Sequence, residues 1–249
     1  MTGALLSAHG LSRSFGAFRA VDGVDLEVAA GTIHSVIGPN GAGKSTLFRL
    51  LTGLLRPSAG EVRFNGTRLN GKPPHRVVQI GLAQAFQITN VMPRLTVTDS
   101  VAAAIIVQRR SAADPVSWFH RRVRAQAAAL CESVGLGEVL GAQAGTLSHG
   151  DQRALEVALA LAVRPRLLLL DEPTAGMSPF ETGRMVELIR GLAADRGLTV
   201  VLSEHDMDTV FKISDRVTVM HQGRVIADGP SAEVRANDEV MAVYLGSER

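Results

Sequence analysis

The chain has 249 residues, 46% of them hydrophobic and 20% charged, enough apolar material to bury a sizeable core and too much for extensive disorder. Its 26 basic and 24 acidic residues leave a net charge of +2, too small an excess for a nucleic-acid footprint, and aromatics at 4% give no stacking platform for single strands. The longest apolar runs, at 101–107 and 157–163, fall far short of the roughly 20 residues a membrane-spanning helix needs. MTGALLSAHGLSRSF at the N-terminus lacks the basic and apolar regions of a signal peptide. The single Cys131 cannot form an internal disulfide and reads as a small buried helix residue, which fits a reducing cytoplasm.

Short β-type runs alternate with longer helical patterns, which predicts an α/β fold with a mainly parallel sheet and crossover helices. ALLSAHGLSRSF and VDGVDLEV read as two half-buried strands of an N-terminal antiparallel β element. TIHSVIG at 32–38 is a strand running into a glycine-rich turn, and a helix follows over 44–54. Residues 61–64, before Asn65-Gly66, make another short strand and turn. From about 96 to 145 the strand signal disappears, and VTDSVAAAIIVQRR and WFHRRVRAQAAALCESV predict an inserted helical subdomain. Then come a helix at 151–163, an apolar strand at 167–170, a helix at 180–194 and a strand at 199–203. Strands at 216–220 and 224–227 are joined by HQG, and short helices at 232–235 and 239–244 end the chain.

Gly38-Pro39-Asn40-Gly41-Ala42-Gly43-Lys44-Ser45, followed by Thr46, fits GxxxxGK[ST] between a predicted strand and helix, as a P-loop NTPase requires. Its glycines let backbone N–H groups turn inward as an anion nest, and the helix start adds partial positive charge. Lys44 can reach the β- and γ-phosphates of a nucleotide, and the Ser45 hydroxyl suits Mg²⁺. LLLLDE at 167–172 is a buried strand ending in two acids. Beside a phosphate loop, Asp171 would hold Mg²⁺ through water and Glu172 would polarise the attacking water.

Leu147-Ser148-His149-Gly150-Asp151-Gln152 precedes a helix, where serine and glycine make a simple N-cap or a second anion site. Together with the phosphate loop and the acidic strand, this segment resembles the signature of ATP-binding cassette (ABC) proteins, usually LSGGQ. His149 stands here at the first paired glycine and Asp151 at the glutamine. The resemblance implies an ABC ATPase core over 1–249 as a single ATP-binding domain, with the helical subdomain at about 96–150. It implies that Ser148 and Gly150 contact ATP held by a second cassette, and that Phe15 stacks on adenine, with Phe18 as the competitor. It implies that Gln87, in AQAFQ at the start of the helical insertion, contacts Mg²⁺ as well as reporting nucleotide state, and that His205 contacts the γ-phosphate. Ser178, in AGMSP, stands where the superfamily usually has an aspartate that links two ATP sites.

AQAFQ, LSHGDQRALEVALAL, DEPTAGMSP, SEHDMDTVFKISDRVTVMHQG and the terminal VYLG are similar to ATPase subunits of branched-chain amino-acid importers, with urea and amide importers close by. That implies ATP and Mg²⁺ as cofactors and separate transmembrane permease subunits as partners. A second cassette, in a heterodimer or alternatively a homodimer, and an external solute-binding protein complete the implied assembly, at the cytoplasmic face of the membrane. Lipopolysaccharide export subunits end in a similar Tyr-Leu-Gly, but SEHDM and the long insertion favour import. Translation and DNA-repair cassettes would need a tandem cassette or a coiled coil, and a nucleotide kinase would need a lid and acceptor site. Arg109, Arg110, Arg121, Arg122 and Arg124 read as a solvated helix face, with lipid headgroups or a permease loop as the alternative contact.

Overall fold

In this computed structural model the described residues are 4–85, 92–109 and 116–245. Leu6–Phe15 (β1) and Phe18–Val28 (β2) pair antiparallel, with Leu6 opposite Val28 and Phe15 opposite Phe18. Ala59–Phe64 (β4) joins the other edge of β1 and Thr67–Arg68 (β5) follows it, giving a sheet in the order β2-β1-β4-β5. Leu6, Ala8 and Leu11 from β1 bury together with Val24, Leu26 and Phe64. The alternation that made these segments read as half-buried strands is therefore the packing itself.

The second sheet has the order β10-β9-β3-β8-β7-β6. Its members are Ile33–Ile37 (β3), Leu82–Ala85 (β6), Leu167–Asp171 (β7), Thr199–Glu204 (β8), Arg216–His221 (β9) and Arg224–Pro230 (β10). All pairings are parallel except the β9–β10 hairpin. Every residue of β3, β7 and β8 is buried, so a continuous apolar run, rather than alternation, is what a strand covered on both faces needs. Leu167 and Leu169 point to the side of Lys44–Leu51 (α1) and the antiparallel sheet. Leu168 and Leu170 point to the opposite, larger core.

That larger core is built with Val97–Arg109 (α3), Val116–Ser133 (α4), His149–Leu161 (α5) and Pro179–Arg196 (α6). Two 3₁₀ turns, Gly137–Val139 and Ala144–Thr146, lie between α4 and α5, and Thr96 bridges to Gln143, so the insertion is helical but closed by irregular backbone. Cys131 is fully buried on α4, and burial pushes its thiol up to about 11, which makes it an inert packing residue. At the C-terminus, Ser231–Arg235 (α8) and Asp238–Leu245 (α9) bring Val234 and Val240 onto Val217 and Val219 of β9. No described helix is long and apolar enough to cross a membrane.

Three elements depart from the expected pattern. Pro74–Gln79 (α2), a segment to which the sequence reading assigned no element, starts with a proline at its first turn. Met207–Ile213 (α7) is short and begins at Asp206, whose side chain accepts from the Asp208 N–H. The AQA of AQAFQ belongs to β6, the edge strand of the core sheet, and α3 is the first described helix of the insertion. Four residues are too few to display a period.

His34, in β3, is wholly buried, with Nε2 2.7 Å from the Thr218 hydroxyl, whose oxygen lies 2.7 Å from the Asp228 carboxylate. Burial lowers its pKa from 6.5 to about 4, against the pull of Asp228 and with the help of Arg216. The unfolded chain therefore takes a proton below about 6.5 that the folded chain refuses until about 4. The stability of the neutral form is complete above that window and is lost through it as pH falls. Urea titrations at pH 7.5 and 4.5 should show the wild type losing about 2–3 kcal/mol more than His34→Asn. Equal losses would contradict the assignment.

Candidate active site

Three adjacent parallel strands deliver the site. Ile37, the last residue of β3, lies opposite Glu204 of β8, and Ser203 of β8 lies opposite Asp171 of β7. The glycine-rich loop, the acidic pair and Glu204-His205 thus leave the sheet together at its carboxyl edge, where α/β folds place ligands.

The loop is held by close backbone approaches. Gly38 has φ 152 and Gly43 has φ 103, both outside the range of ordinary side chains. A Cβ would strike the Met220 carbonyl at Gly38 and the Ala20 carbonyl at Gly43. Between them, the Ala42 N–H donates to Pro39 O at 3.1 Å and the Gly223 N–H to Ala42 O at 3.0 Å. Asn40 and Gly41 are exposed at the loop crest, and Ser45 and Thr46 are half-buried on the first turn of α1. Lys44 is buried and donates from Nζ to Gly38 O at 2.5 Å and Pro39 O at 3.2 Å, so the loop winds around its own ammonium. Burial lowers the Lys44 pKa, and Glu172, Asp171 and Glu204 oppose that shift, in that order. The Lys44 ammonium is under the pull of three carboxylates.

Ser203 organises the acids. Its hydroxyl donates to Asp171 Oδ1 at 2.6 Å and accepts from the Glu172 N–H at 3.1 Å, while Ser203 O accepts from the same N–H at 3.1 Å. Glu172 adopts φ 50, a left-handed conformation unusual for a residue with a side chain, which β7 and β8 together enforce. Glu204 is fully buried and accepts from the Thr174 N–H at 2.9 Å, the Thr174 hydroxyl at 2.6 Å and the His205 N–H at 3.3 Å. His205 itself is exposed, with Nδ1 3.8 Å from Glu204. Ser203, Thr174 and Glu204 escaped the sequence reading. The available signal was a Ser-Glu pair closing a buried strand, because polar groups placed there need partners.

Asp171 and Ser45 are hard oxygen donors, the set that suits Mg²⁺ with a phosphate and water completing the shell. Among the described residues no cluster of three or more His, Cys, Asp or Glu side chains placed to hold a metal occurs. Phe15 is 48% exposed and Phe18 64%, so neither is a core residue. They flank the β1–β2 turn, and the Arg13 guanidinium lies 4.8 Å from the Phe15 ring centre. The Ala20 carbonyl against Gly43 sets this hairpin beside the phosphate loop. Gln87 lies outside the described residues, as do the side chains of Arg109 and Arg110; Arg121, Arg122 and Arg124 are exposed on α4, and Arg124 pairs with Asp99 at 3.0 Å.

Ser148 caps α5 by accepting from the Asp151 N–H at 3.1 Å, and Gly150 donates to Glu181 Oε1 at 3.2 Å. His149 Nε2 lies 3.1 Å from the Ala175 carbonyl, which ties the signature segment to the turn after β7. Ser178 caps α6 in a full capping box with Glu181, accepting from its N–H at 3.4 Å and donating to its Oε2 at 2.8 Å. Ser178→Ala should lower Tm by about 2–4 °C, the equivalent of one lost cap, whereas Ser178→Asp, which keeps the cap but cannot donate to Glu181 Oε2, should lower it less. Thermal unfolding that ranks the two alike would remove the cap from the explanation.

A wound phosphate loop, its lysine and two acids on neighbouring strands define a P-loop nucleotide hydrolase. The ABC transporter family model matches residues 21–175, and a model for the branched-chain amino acid ATP-binding cassette transporter matches 224–249. The chain is 38% identical over 256 residues to the high-affinity branched-chain amino acid transport ATP-binding protein BraF of Pseudomonas aeruginosa, covering 99% of each. It is 38% identical over 253 residues to LivG of Escherichia coli (strain K12), which carries the same description, again covering 99% of each. The ADP conformation of MJ1267, an ATP-binding cassette of an ABC transporter, superposes with a TM-score of 0.85 at 29% identity, covering 98% of this chain and 99% of that one. The chain belongs to the ABC transporter family, as one of its ATP-hydrolysing cassettes.

Proposed function

We propose that this chain is the energy-coupling ATPase subunit of an importer for branched-chain amino acids or related small polar solutes. The observation that carries the proposal is the meeting of Lys44, Asp171-Glu172 and Glu204-His205 at one sheet edge, in a chain that aligns end to end with BraF and LivG. The terminal match at 224–249 favours this reading over lipopolysaccharide export.

In this reading the whole chain is one cassette, with its helical subdomain at about 96–150. Backbone N–H groups of 38–46 cradle the phosphates of ATP, and Lys44 neutralises the β- and γ-oxygens. Ser45 and Asp171 hold Mg²⁺, with Gln87 as a further contact, and the bound ion supplies charge neutralisation. Glu172 takes the proton of the attacking water. His205 donates to the γ-phosphate, and Phe15 stacks on the adenine.

Ser148 and Gly150 complete the ATP site of a second, related cassette, which makes the working unit a heterodimer of cassettes beneath the permease subunits. An external binding protein delivers the solute, and the cassettes sit peripherally at the cytoplasmic face. The test is to purify the assembled transporter and weigh its chains. Two different cassettes, together with a binding protein that retains a branched-chain amino acid, are expected. Two copies of this chain alone would refute the heterodimer, and a binding protein carrying an unrelated solute would refute the substrate class.

A further inference from the structure

The two glycines that bracket the phosphate loop rest on different parts of the molecule. Gly38 lies against the Met220 carbonyl of β9, and Gly43 lies against the Ala20 carbonyl of β2. One end of the loop is therefore braced by the core sheet and the other by the antiparallel sheet. The curvature between them depends on the spacing of those two carbonyls. The turn between β9 and β10 reaches the same place, because the Gly223 N–H donates to Ala42 O at 3.0 Å.

Asp22 joins the two braces. Its N–H donates to Gly223 O at 2.8 Å. Its carboxylate accepts from Arg224 Nε at 2.9 Å and Nη2 at 2.7 Å, and from Arg19 Nη1 at 2.8 Å. The Arg224 and Arg19 guanidiniums hold its carboxyl below the usual carboxylate range. The Asp22 side chain is 17% exposed, against 70% for Arg224 and 62% for Arg19, so two surface arginines close over a mostly covered carboxylate.

We infer that Asp22 is a positioning residue for the phosphate loop: by locking the β9–β10 turn to β2, it fixes the spacing of the Met220 and Ala20 carbonyls and keeps the loop curved for an anion. The inference rests on that loop being the ATP site. Such preorganisation acts on affinity, since a loop that must be ordered on binding loses part of its interaction energy to the ordering. Glu172 is held by Ser203 of β8 through separate contacts, so the chemical step does not pass through Asp22. Charge alone would act in the opposite direction. Removing Asp22 takes a negative charge from beside an anion site and frees two guanidiniums, which attracts ATP more strongly. The sign of the effect therefore separates positioning from charge.

Titration of the purified full chain with Mg²⁺ and ATP should show Asp22→Ala binding about 3–5-fold more weakly, the upper range of what an exposed ion pair supplies. Inorganic tripolyphosphate, followed by displacement of a fluorescent ATP, should lose the same factor, because the effect is on the loop and not on the base. Arg224→Gln should match Asp22→Ala, and the double variant should lose no more than either alone. Gly223→Ala changes no charge but sets a Cβ 3.0 Å from the Ala20 carbonyl at a φ of +81°, and should weaken both ligands too. Single turnover at saturating ATP in the assembled transporter should stay within about 2-fold of wild type for Asp22→Ala. Thermal unfolding checks that each variant is folded. Unchanged or tighter ATP binding by folded Asp22→Ala would overturn the inference. A loss seen with ATP but not tripolyphosphate, additive losses in the double variant, or a slower single turnover would overturn it equally. A wild-type chain that binds neither ligand would instead defeat the reading of the loop as the ATP site.

Discussion

Glu172→Gln should reduce steady-state ATP hydrolysis by about 10²–10⁴-fold, the usual contribution of a positioned general base, while ATP still binds. The substitution removes one proton acceptor and little else. The backbone of Glu172, not its carboxylate, is what Ser203 grips through two 3.1 Å hydrogen bonds. Glutamine keeps that grip, the left-handed backbone and almost the same volume. The Lys44 loop, wound on its own carbonyls, does not depend on the side chain. The variant should therefore accumulate in an ATP-bound form detectable as a stable closed dimer. Single-turnover and equilibrium-binding assays separate the two quantities, and near-normal turnover would remove Glu172 from the role of base.

Lys44→Ala should fail differently, by weakening ATP binding about 10–100-fold, the worth of charged hydrogen bonds to phosphate. Two losses combine. The ammonium that would meet the β- and γ-phosphates is gone, and the loop loses the donor that Gly38 and Pro39 close around. Glu172, Asp171 and Glu204 also lose the cation they share, leaving a pocket of like charge where an anion must enter. Fluorescent-nucleotide titration distinguishes the variants. Comparable affinities for Lys44→Ala and Glu172→Gln would contradict the division of labour.

Much of this arrangement was legible because its signals are local. LLLLDE announces a strand covered on both faces and ending in acids, and the glycines of 38–43 announce a loop that other residues cannot form. Ser148 and Ser178 sit at helix starts where a side-chain oxygen caps the next turn. What stayed hidden depends on strand order. Ser203 matters because β8 lies beside β7 in a register that sets it against Asp171, and no one-dimensional pattern carries that neighbour relation. Glu204 carried no signal of its own within SEHDM, because its role rests on burial and on the donors that Thr174 and the His205 N–H bring to it in three dimensions. β6 went unassigned because LAQA has neither length nor alternation, and only the adjacent β7 makes it a strand.

His149 shows how a departure from a motif can be absorbed by its surroundings. The paired-glycine position carries an imidazole here, and the ring reaches the Ala175 carbonyl. Ser178 takes the neighbouring aspartate position and makes the hydrogen bonds of a capping box. The N-termini of α5 and α6 are further joined through Gly150 and Glu181. The segment at 147–152 and the turn following the acidic strand are thereby linked through two hydrogen bonds.

The most direct measurement of the central claim is solute uptake by vesicles containing this cassette with its permease and second cassette, supplied with ATP inside and loaded binding protein outside. Radiolabelled leucine, isoleucine and valine should accumulate only with ATP, and Glu172→Gln in this chain should reduce accumulation by at least about tenfold. Uptake that proceeds equally with the variant, or ATP hydrolysis that never responds to a loaded binding protein, would contradict the assignment of this chain as the subunit that couples hydrolysis to import.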